Sequence, residues 1–328
     1  MRAYRIAYDG TSYYGFQRQP DVPTVEDAIF DAVRELEVLG DDPKPAGYAA
    51  AGRTDAGVSA LAQTVAFEAP GWLTPRALNS ALPGDVRAWA SADASADFHA
   101  THHATRRVYT YHLYAPRAGS GTGSGLDAPA ETVETTESVD DNRFHAALEA
   151  LSGPHDFHNL TPDEEGTRRS PTLEAQRDGP FLEITVSAPG FARELVRRLV
   201  SLARAVGSGE EPLEKIDRAL DSEPLPGHEG IAPAAPESLV LSRVDYSNTT
   251  LEFAVDAEAA QRSREILEGR RIDQLVGARV ARQLRDGLEM GVSGASGESS
   301  ALGESGASGR SEESSSSGDS SQTGPSTQ

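Results

Sequence analysis

No cysteine occurs in the 328 residues, so the chain can form no disulfide, offers no thiolate nucleophile and holds no cysteine-ligated zinc. No apolar run approaches the length needed to cross a bilayer, and Met1-Arg2-Ala3-Tyr4 leads directly into a strand-like pattern without a signal-peptide core. A soluble, cytoplasmic protein with no membrane partner is expected. There is no Gly-x-x-x-x-Gly-Lys phosphate loop either, and the Gly-Ser run from Gly119 to Gly125 does not replace it, having no lysine and no following helix.

Lysine is nearly missing too. Lys44 and Lys215 are two of 30 basic residues, set against 51 acidic ones, for a formal net charge of -21. Nucleic-acid binders are usually basic, so composition alone points away from RNA. Acid excess with lysine depletion fits a high-salt cytoplasm, where net charge serves solubility and is screened over about 3 Å at molar salt. Nucleic acid would then have to be held by local contacts, for which the planar fork of arginine is suited. Dilute buffer should expose acidic self-repulsion and weaken both folding and activity. A melting curve and turnover unaltered at low ionic strength would contradict this reading.

The length allows a sizeable core and favours two domains or two duplicated halves. Tyr4 to Tyr8 alternates as a strand and Asp9-Gly10 turns the chain. From Thr24, Val25, Ala28, Ile29, Ala32, Val33 and Leu36 fall on one helical face, with Gly40 as the stop. Strands are expected at Gln63 to Glu68, Val86 to Ala92, Arg107 to Tyr114, Phe181 to Ser187, Leu239 to Tyr246 and Leu251 to Val255. Helices are expected after Thr74-Pro75, around Phe144 to Leu151, and from Phe191 to Val206. This mixture is α+β and lacks the regular alternation of a doubly wound sheet. We divide the chain into a first half (1–116), a flexible acidic connection (117–140), a second half (141–256), an extra helical segment (257–291) and a disordered Ser/Gly/Glu tail (292–328).

The stretch Ala51-Gly52-Arg53-Thr54-Asp55-Ala56-Gly57-Val58 sets one carboxylate between two glycines and beside an arginine. Glycine suggests a shaped loop. An aspartate there can be a helix cap, a turn former, a metal ligand or a nucleophile, of which caps and turns are the commonest. The residues Gly52-Arg53-Thr54-Asp55-Ala56-Gly57-Val58 resemble the signature loop of the tRNA pseudouridine synthase A family. Further stretches resemble that family in the same order: Tyr8 to Gln19, Leu82-Pro83-Gly84-Asp85-Val86, Asp97-Phe98-His99-Ala100, Arg107-Val108-Tyr109-Thr110-Tyr111, and Gly190 to Val200.

The resemblance implies the pseudouridine synthase fold: two related halves sharing a mixed, mainly antiparallel sheet, with a central cleft as the active site. It implies isomerisation of uridine to pseudouridine on the 3′ side of the anticodon stem-loop of tRNA, in a homodimer and without a cofactor. Asp55 takes the place of the nucleophile, Arg197 that of its ion-pair partner, and Tyr109 that of the tyrosine stacked on the uracil. Substrate contacts are expected from Arg53, Phe16, Gln17, Arg18, Arg106 and Arg107. Read without the family, Arg197 lies on a basic helix face with Arg193 and Arg204, and Tyr109 is a core tyrosine of its strand.

The chain departs from the family pattern at Phe16 (commonly tryptophan), Ser59 (histidine), Thr101 (arginine) and Ser238 (glycine), which bears on RNA contacts more than on the reaction. His99, His102, His103 and His155-Asp156-Phe157-His158 have spacings met in zinc sites, but no third ligand is placed by motif and no metal is expected. Two other classes remain: a catalytically silent RNA-binding protein on the same fold, and a glycosidase, which would need a second carboxyl group beside Asp55.

Overall fold

Strand and helix periodicities alternate irregularly along the chain, and the elements they produce build one large sheet with helices packed on it. The computed structural model describes residues 1–117 and 138–297. Most of the connection read at 117–140 and of the tail read at 292–328 therefore lies outside the described residues. In chain order the elements are β1 (Arg2–Tyr8), α1 (Val25–Glu35), β2 (Ala49–Ala50), β3 (Ser59–Phe67), α2 (Pro75–Leu78), β4 (Val86–Asp93) and β5 (Arg106–Tyr114). Then follow α3 (Asp141–Leu151), β6 (His155–Asp156), β7 (Arg168–Arg169), β8 (Thr172–Asp178), β9 (Phe181–Ala188), α4 (Leu195–Ser208) and α5 (Glu214–Leu220). Last come β10 (Leu239–Asp245), β11 (Ala254–Val255) and α6 (Ala257–Gly297). Contacts divide the chain into one unit, Met1–Gly269, and a second beginning at Arg270.

The large sheet runs β11-β4-β1-β3-β10-β5-β9-β8, with β2 also paired to β3. Every pairing in it is antiparallel except that of β10 with β3. This parallel seam joins Val240 to Ser59 and Leu241 to Ala60, so the loop that opens β3 lies against the later part of the chain. Leu241 faces Tyr109 across the next pairing, which sets Tyr109 in the same lateral row as the start of β3. Register thus brings the aspartate loop and the tyrosine together before any side chain is considered.

The helices follow local rules. Thr24 caps α1 by accepting from the Asp27 N–H, and its own hydroxyl donates to the Asp27 carboxylate at 2.5 Å. Val25, Ile29, Phe30, Ala32 and Val33 turn inward. In α4 the buried stripe is Leu195, Val196, Leu199, Val200, Leu202, Ala203 and Val206, which leaves Arg197, Arg198 and Arg204 off the core face. No helix among the described residues is long and apolar enough to cross a membrane.

Some boundaries differ from the sequence expectations. α1 ends at Glu35, short of Gly40, because Glu37 enters a left-handed conformation (φ 57°). The expected strand Leu251 to Val255 shortens to Ala254–Val255. β8 has no counterpart among the expectations: it is an outer strand with a polar, alternating sequence, and pairing with β9 holds it. α4 starts at Leu195 and not at Phe191, since Glu194 stands in a left-handed conformation (φ 60°) that closes a turn before the helix.

One of the two lysines is interior. Lys215 on α5 is 3% exposed, and its ammonium donates to the Glu229 carbonyl and carboxylate, each at 3.0 Å. Lys215→Ala would leave a hole and strip the ammonium from the Glu229 carbonyl and carboxylate, of which the carboxylate keeps Arg218, so we expect a loss of about 2–4 kcal/mol in denaturant unfolding at fixed salt. A loss under about 0.5 kcal/mol, the usual size of a surface effect, would contradict this account of the site.

Candidate active site

The aspartate loop, residues 51–58, links β2 to β3 and is fixed from below and above. From below, Ala51 N–H donates to Thr64 at 2.8 Å and the Gln63 side-chain amide donates to the Gly52 carbonyl at 2.9 Å. From above, Phe16 N–H donates to the Thr54 carbonyl at 3.0 Å, Gly57 N–H to the Tyr13 carbonyl at 3.2 Å, and the hydroxyls of Tyr8 and Thr54 meet at 2.7 Å. The opening loop can lie this close only because Gly10 has no side chain: a Cβ there would sit 2.0 Å from the Val58 carbonyl oxygen. Gly57 supplies the left-handed turn (φ 81°) that follows Asp55. Gly52 has no such constraint; it lies beside the Tyr109 hydroxyl, which a Cβ would meet at 3.9 Å.

Arg197 arrives from α4. Its Nη1 donates to Asp55 Oδ2 at 3.3 Å while Nε donates to the Ala234 carbonyl at 2.6 Å, so both ends of the fork are used. The Arg197 side chain is 12% exposed and that of Asp55 30%, which leaves the carboxylate reachable from the cleft. Burial raises the Asp55 pKa above the ordinary carboxylate value; Arg197 opposes the shift by charge and hydrogen bond, and Glu194 adds to it. The pair therefore sets an arginine against the tendency of the buried carboxylate to take up a proton.

Tyr109 is buried and meets Phe191 edge-on, with ring centroids 5.3 Å apart and planes at 86°. Burial pushes its phenol up to about 12, with Arg107 pulling it back and Asp55 adding to the rise. At neutral pH it is a neutral hydroxyl.

Asp55, Arg197 and Tyr109 line a cleft of about 1690 Å³, together with Phe16, Gln17, Arg18, Arg53 and Arg107. The substrate candidates differ in what they have free. Arg53 and Gln17 are exposed. Phe16 is 1% exposed and packs near Tyr8, so its role is to seat the opening loop. Arg18 is engaged by Asp27 at 2.6 Å and by the Pro43 carbonyl at 2.9 Å. Arg107 is buried beneath the aspartate loop, where it donates to the carbonyls of Ala51 (3.0 and 2.7 Å), Thr101 (2.9 Å) and Pro189. Arg106 is not brought to the cleft: it lines a separate depression with Arg5 and Tyr246, and donates to the Ser187 hydroxyl at 2.7 Å.

The cleft also contains residues to which the sequence reading gave no role. Phe191 meets Tyr109 edge-on; Arg193 pairs with Asp163 at 3.3 Å; Glu194 is gripped by Arg198 at 2.6 Å; Lys44 is part of the lining. The first three lie inside the stretch Gly190 to Val200 that resembles the family, and that membership was the available signal. Of the departures, Ser59 accepts from Gly10 N–H at 3.0 Å and Thr101 donates to the Ala50 carbonyl at 2.5 Å, so both serve the loop framework. His99 and His103 use Nδ1 to accept backbone N–H groups of their own turn.

Comparison with known proteins bears on the family of the chain. A family model described as tRNA pseudouridine synthase matches residues 147–247. The tRNA pseudouridine synthase A of Natronomonas pharaonis is 54% identical over 281 residues, covering 86% of this chain and 97% of that protein. Those of Haloarcula marismortui (53% over 289 residues, 88% and 100% covered) and Halobacterium salinarum (50% over 283 residues, 86% and 98% covered) are similar throughout as well. The Haloarcula match is long enough to reach into α6, the helix that the sequence resemblance left aside. The halophilic relatives fit the acidic, lysine-poor composition, and at these identities over nearly the whole of each relative the chain belongs to the tRNA pseudouridine synthase A family of isomerases and has the pseudouridine synthase fold.

Proposed function

We propose that the protein converts uridine to pseudouridine on the 3′ side of the anticodon stem-loop of tRNA, with Asp55 as nucleophile. One observation carries the reading: a carboxylate desolvated by burial and offset by an arginine from α4, open to a cleft of about 1690 Å³ beside a buried tyrosine. Such a cleft has room for a uridine turned out of its stack. Asp55 attacks the ribose carbon or the uracil ring, the carbon–nitrogen bond breaks, and the uracil rotates. Carbon 5 then bonds to the ribose, the proton that carbon 5 loses is matched by one taken up at the freed ring nitrogen, and the carboxylate is regenerated. Nothing is gained or lost overall, so no cofactor is consumed.

Arg197 keeps Asp55 ionised. Tyr109 lies against the uracil as a neutral phenol and can donate a hydrogen bond, which its raised pKa favours over accepting a proton. Arg53 fills the gap left by the turned-out base or holds a phosphate, and Gln17 contacts the strand beside it. Arg107 acts through the aspartate loop that it supports. The stretches read as halves, 1–116 and 141–256, interleave in one sheet, with β5 of the first between β10 and β9 of the second, and two copies form a cytoplasmic homodimer in which one subunit grips the tRNA modified by the other.

A glycosidase reading finds further carboxylates beside Asp55, because Glu26, Asp163 and Glu194 line the same cleft. Each is already engaged: Glu26 accepts from Arg18 N–H at 3.0 Å, Asp163 pairs with Arg193 at 3.3 Å and Glu194 with Arg198 at 2.6 Å, whereas a glycosidase needs a second carboxyl group flanking the bond it cleaves. Nucleoside analysis of a tRNA transcript after incubation at high salt tests the alternatives. Pseudouridine at the 3′ side of the anticodon stem is expected. Free uracil would indicate a glycosidase, and unaltered but bound tRNA a silent binder.

A further inference from the structure

The cleft is lined by six cations, and the pairing of each shows which are available to a phosphate: Arg18, Lys44, Arg53, Arg107, Arg193 and Arg197. Four are committed. Arg18 is held by Asp27, Arg193 by Asp163 and Arg197 by Asp55, while Arg107 is spent on backbone carbonyls. Lys44 and Arg53 are exposed and form no ion pair or hydrogen bond with the described residues.

Lys44 is the odder of the two. Only two lysines occur in the sequence, and the other, Lys215, is buried in an ion pair, so Lys44 is the sole lysine that faces solvent. Its backbone is unusually constrained for a surface residue, because Pro43 and Pro45 flank it and fix their own φ angles. The segment is also tied down on both sides. Arg18 Nη1 donates to the Pro43 carbonyl at 2.9 Å, and Tyr48 N–H donates to the Pro45 carbonyl at 3.1 Å. Arg18 is itself steadied by Asp27 and by the Phe30 ring, with 5.5 Å from guanidinium to centroid.

We propose that Lys44 binds a backbone phosphate of the RNA strand that enters the cleft, with Arg18 as the brace that presents it. The proposal rests on the tRNA reading above. A rigid carrier lowers the ordering cost of the contact. An ammonium in direct contact with phosphate also keeps its attraction where screening, over about 3 Å at molar salt, removes attraction at longer range. Arg18, expected from sequence to touch RNA, takes a supporting part instead.

The test is equilibrium binding of a tRNA transcript by the full-length protein across a series of high KCl concentrations, for the native chain, Lys44→Ala and Lys44→Arg. Lys44→Ala is expected to weaken binding by about threefold to tenfold and to lower the slope of log affinity against log salt by about 1, as loss of one phosphate contact should. Lys44→Arg should restore both. Lys44 has no partner to lose, so the melting temperature should be the same in all three. Native affinity and slope in Lys44→Ala would overturn the proposal while leaving the tRNA reading standing. Failure of the native protein to bind any tRNA would remove that reading, and the Lys44 proposal with it.

Discussion

Asp55→Asn is expected to bind tRNA as the native protein does and to form pseudouridine at least about 10⁴-fold more slowly, the scale on which removal of a catalytic nucleophile acts. Asparagine keeps the size and hydrogen-bonding reach of the side chain, so the loop held by Thr54, Gly57 and Val58 should stay in place. Only the negative charge is lost. The folded-state pKa of Asp55 is raised, chiefly by burial. Its contribution to stability is therefore fully present below the ordinary carboxylate value and is lost as pH rises through the folded value. At neutral pH the ionised form is a strained guest, and Asp55→Asn should melt no lower than the native protein and somewhat higher. A variant that is inactive and also strongly destabilised would show that Asp55 holds the fold, contrary to this account.

Replacing Arg197 should have the next largest effect. Its two contacts do separate jobs: Nη1 offsets the charge of Asp55, and Nε ties the Ala234 carbonyl, whose own residue donates back to the Arg197 carbonyl at 3.2 Å. Arg197→Gln removes the charge beside a buried carboxylate, which then moves further towards its protonated form. Turnover at neutral pH should fall by about 10²–10³-fold, comparable to losing one preorganised electrostatic partner at a reacting centre. The acidic limb of the pH–rate profile should also move to higher pH. Arg197→Lys should rescue little, because a single ammonium cannot reproduce the fork that spans Asp55 and Ala234. Rescue to near-native rates would show that charge alone suffices.

Much of this was legible in the sequence, for reasons that differ from residue to residue. Thr24 before an apolar 3.6-residue repeat marked α1, and the alternation in Arg107 to Tyr114 marked β5, because capping and face-to-face periodicity are local properties. The pairing of Asp55 with Arg197, 142 residues apart, came from resemblance alone, since no local rule joins them. What escaped was set by tertiary contact. The left-handed Glu194 delays the start of the apparent helix run to Leu195, and no propensity favours it there. Arg18 and Arg107 read as substrate contacts but are engaged within the protein, Arg18 by Asp27 and the Pro43 carbonyl and Arg107 by backbone carbonyls, which charge patterns do not register. Arg106 was a different kind of miss: neighbours in a strand face opposite sides, so Arg106 and Arg107 could not both reach one cleft, and the sequence already implied as much.

The central claim is that Asp55, kept ionised by Arg197, performs the isomerisation. The most direct test is single-turnover release of tritium from uracil carbon 5 in a tRNA transcript at high salt, comparing the native protein with Asp55→Asn. Release by the native protein and none by the variant, at equal tRNA occupancy, is the expected result. Release by both at similar rates would contradict the claim and place the nucleophile elsewhere in the cleft.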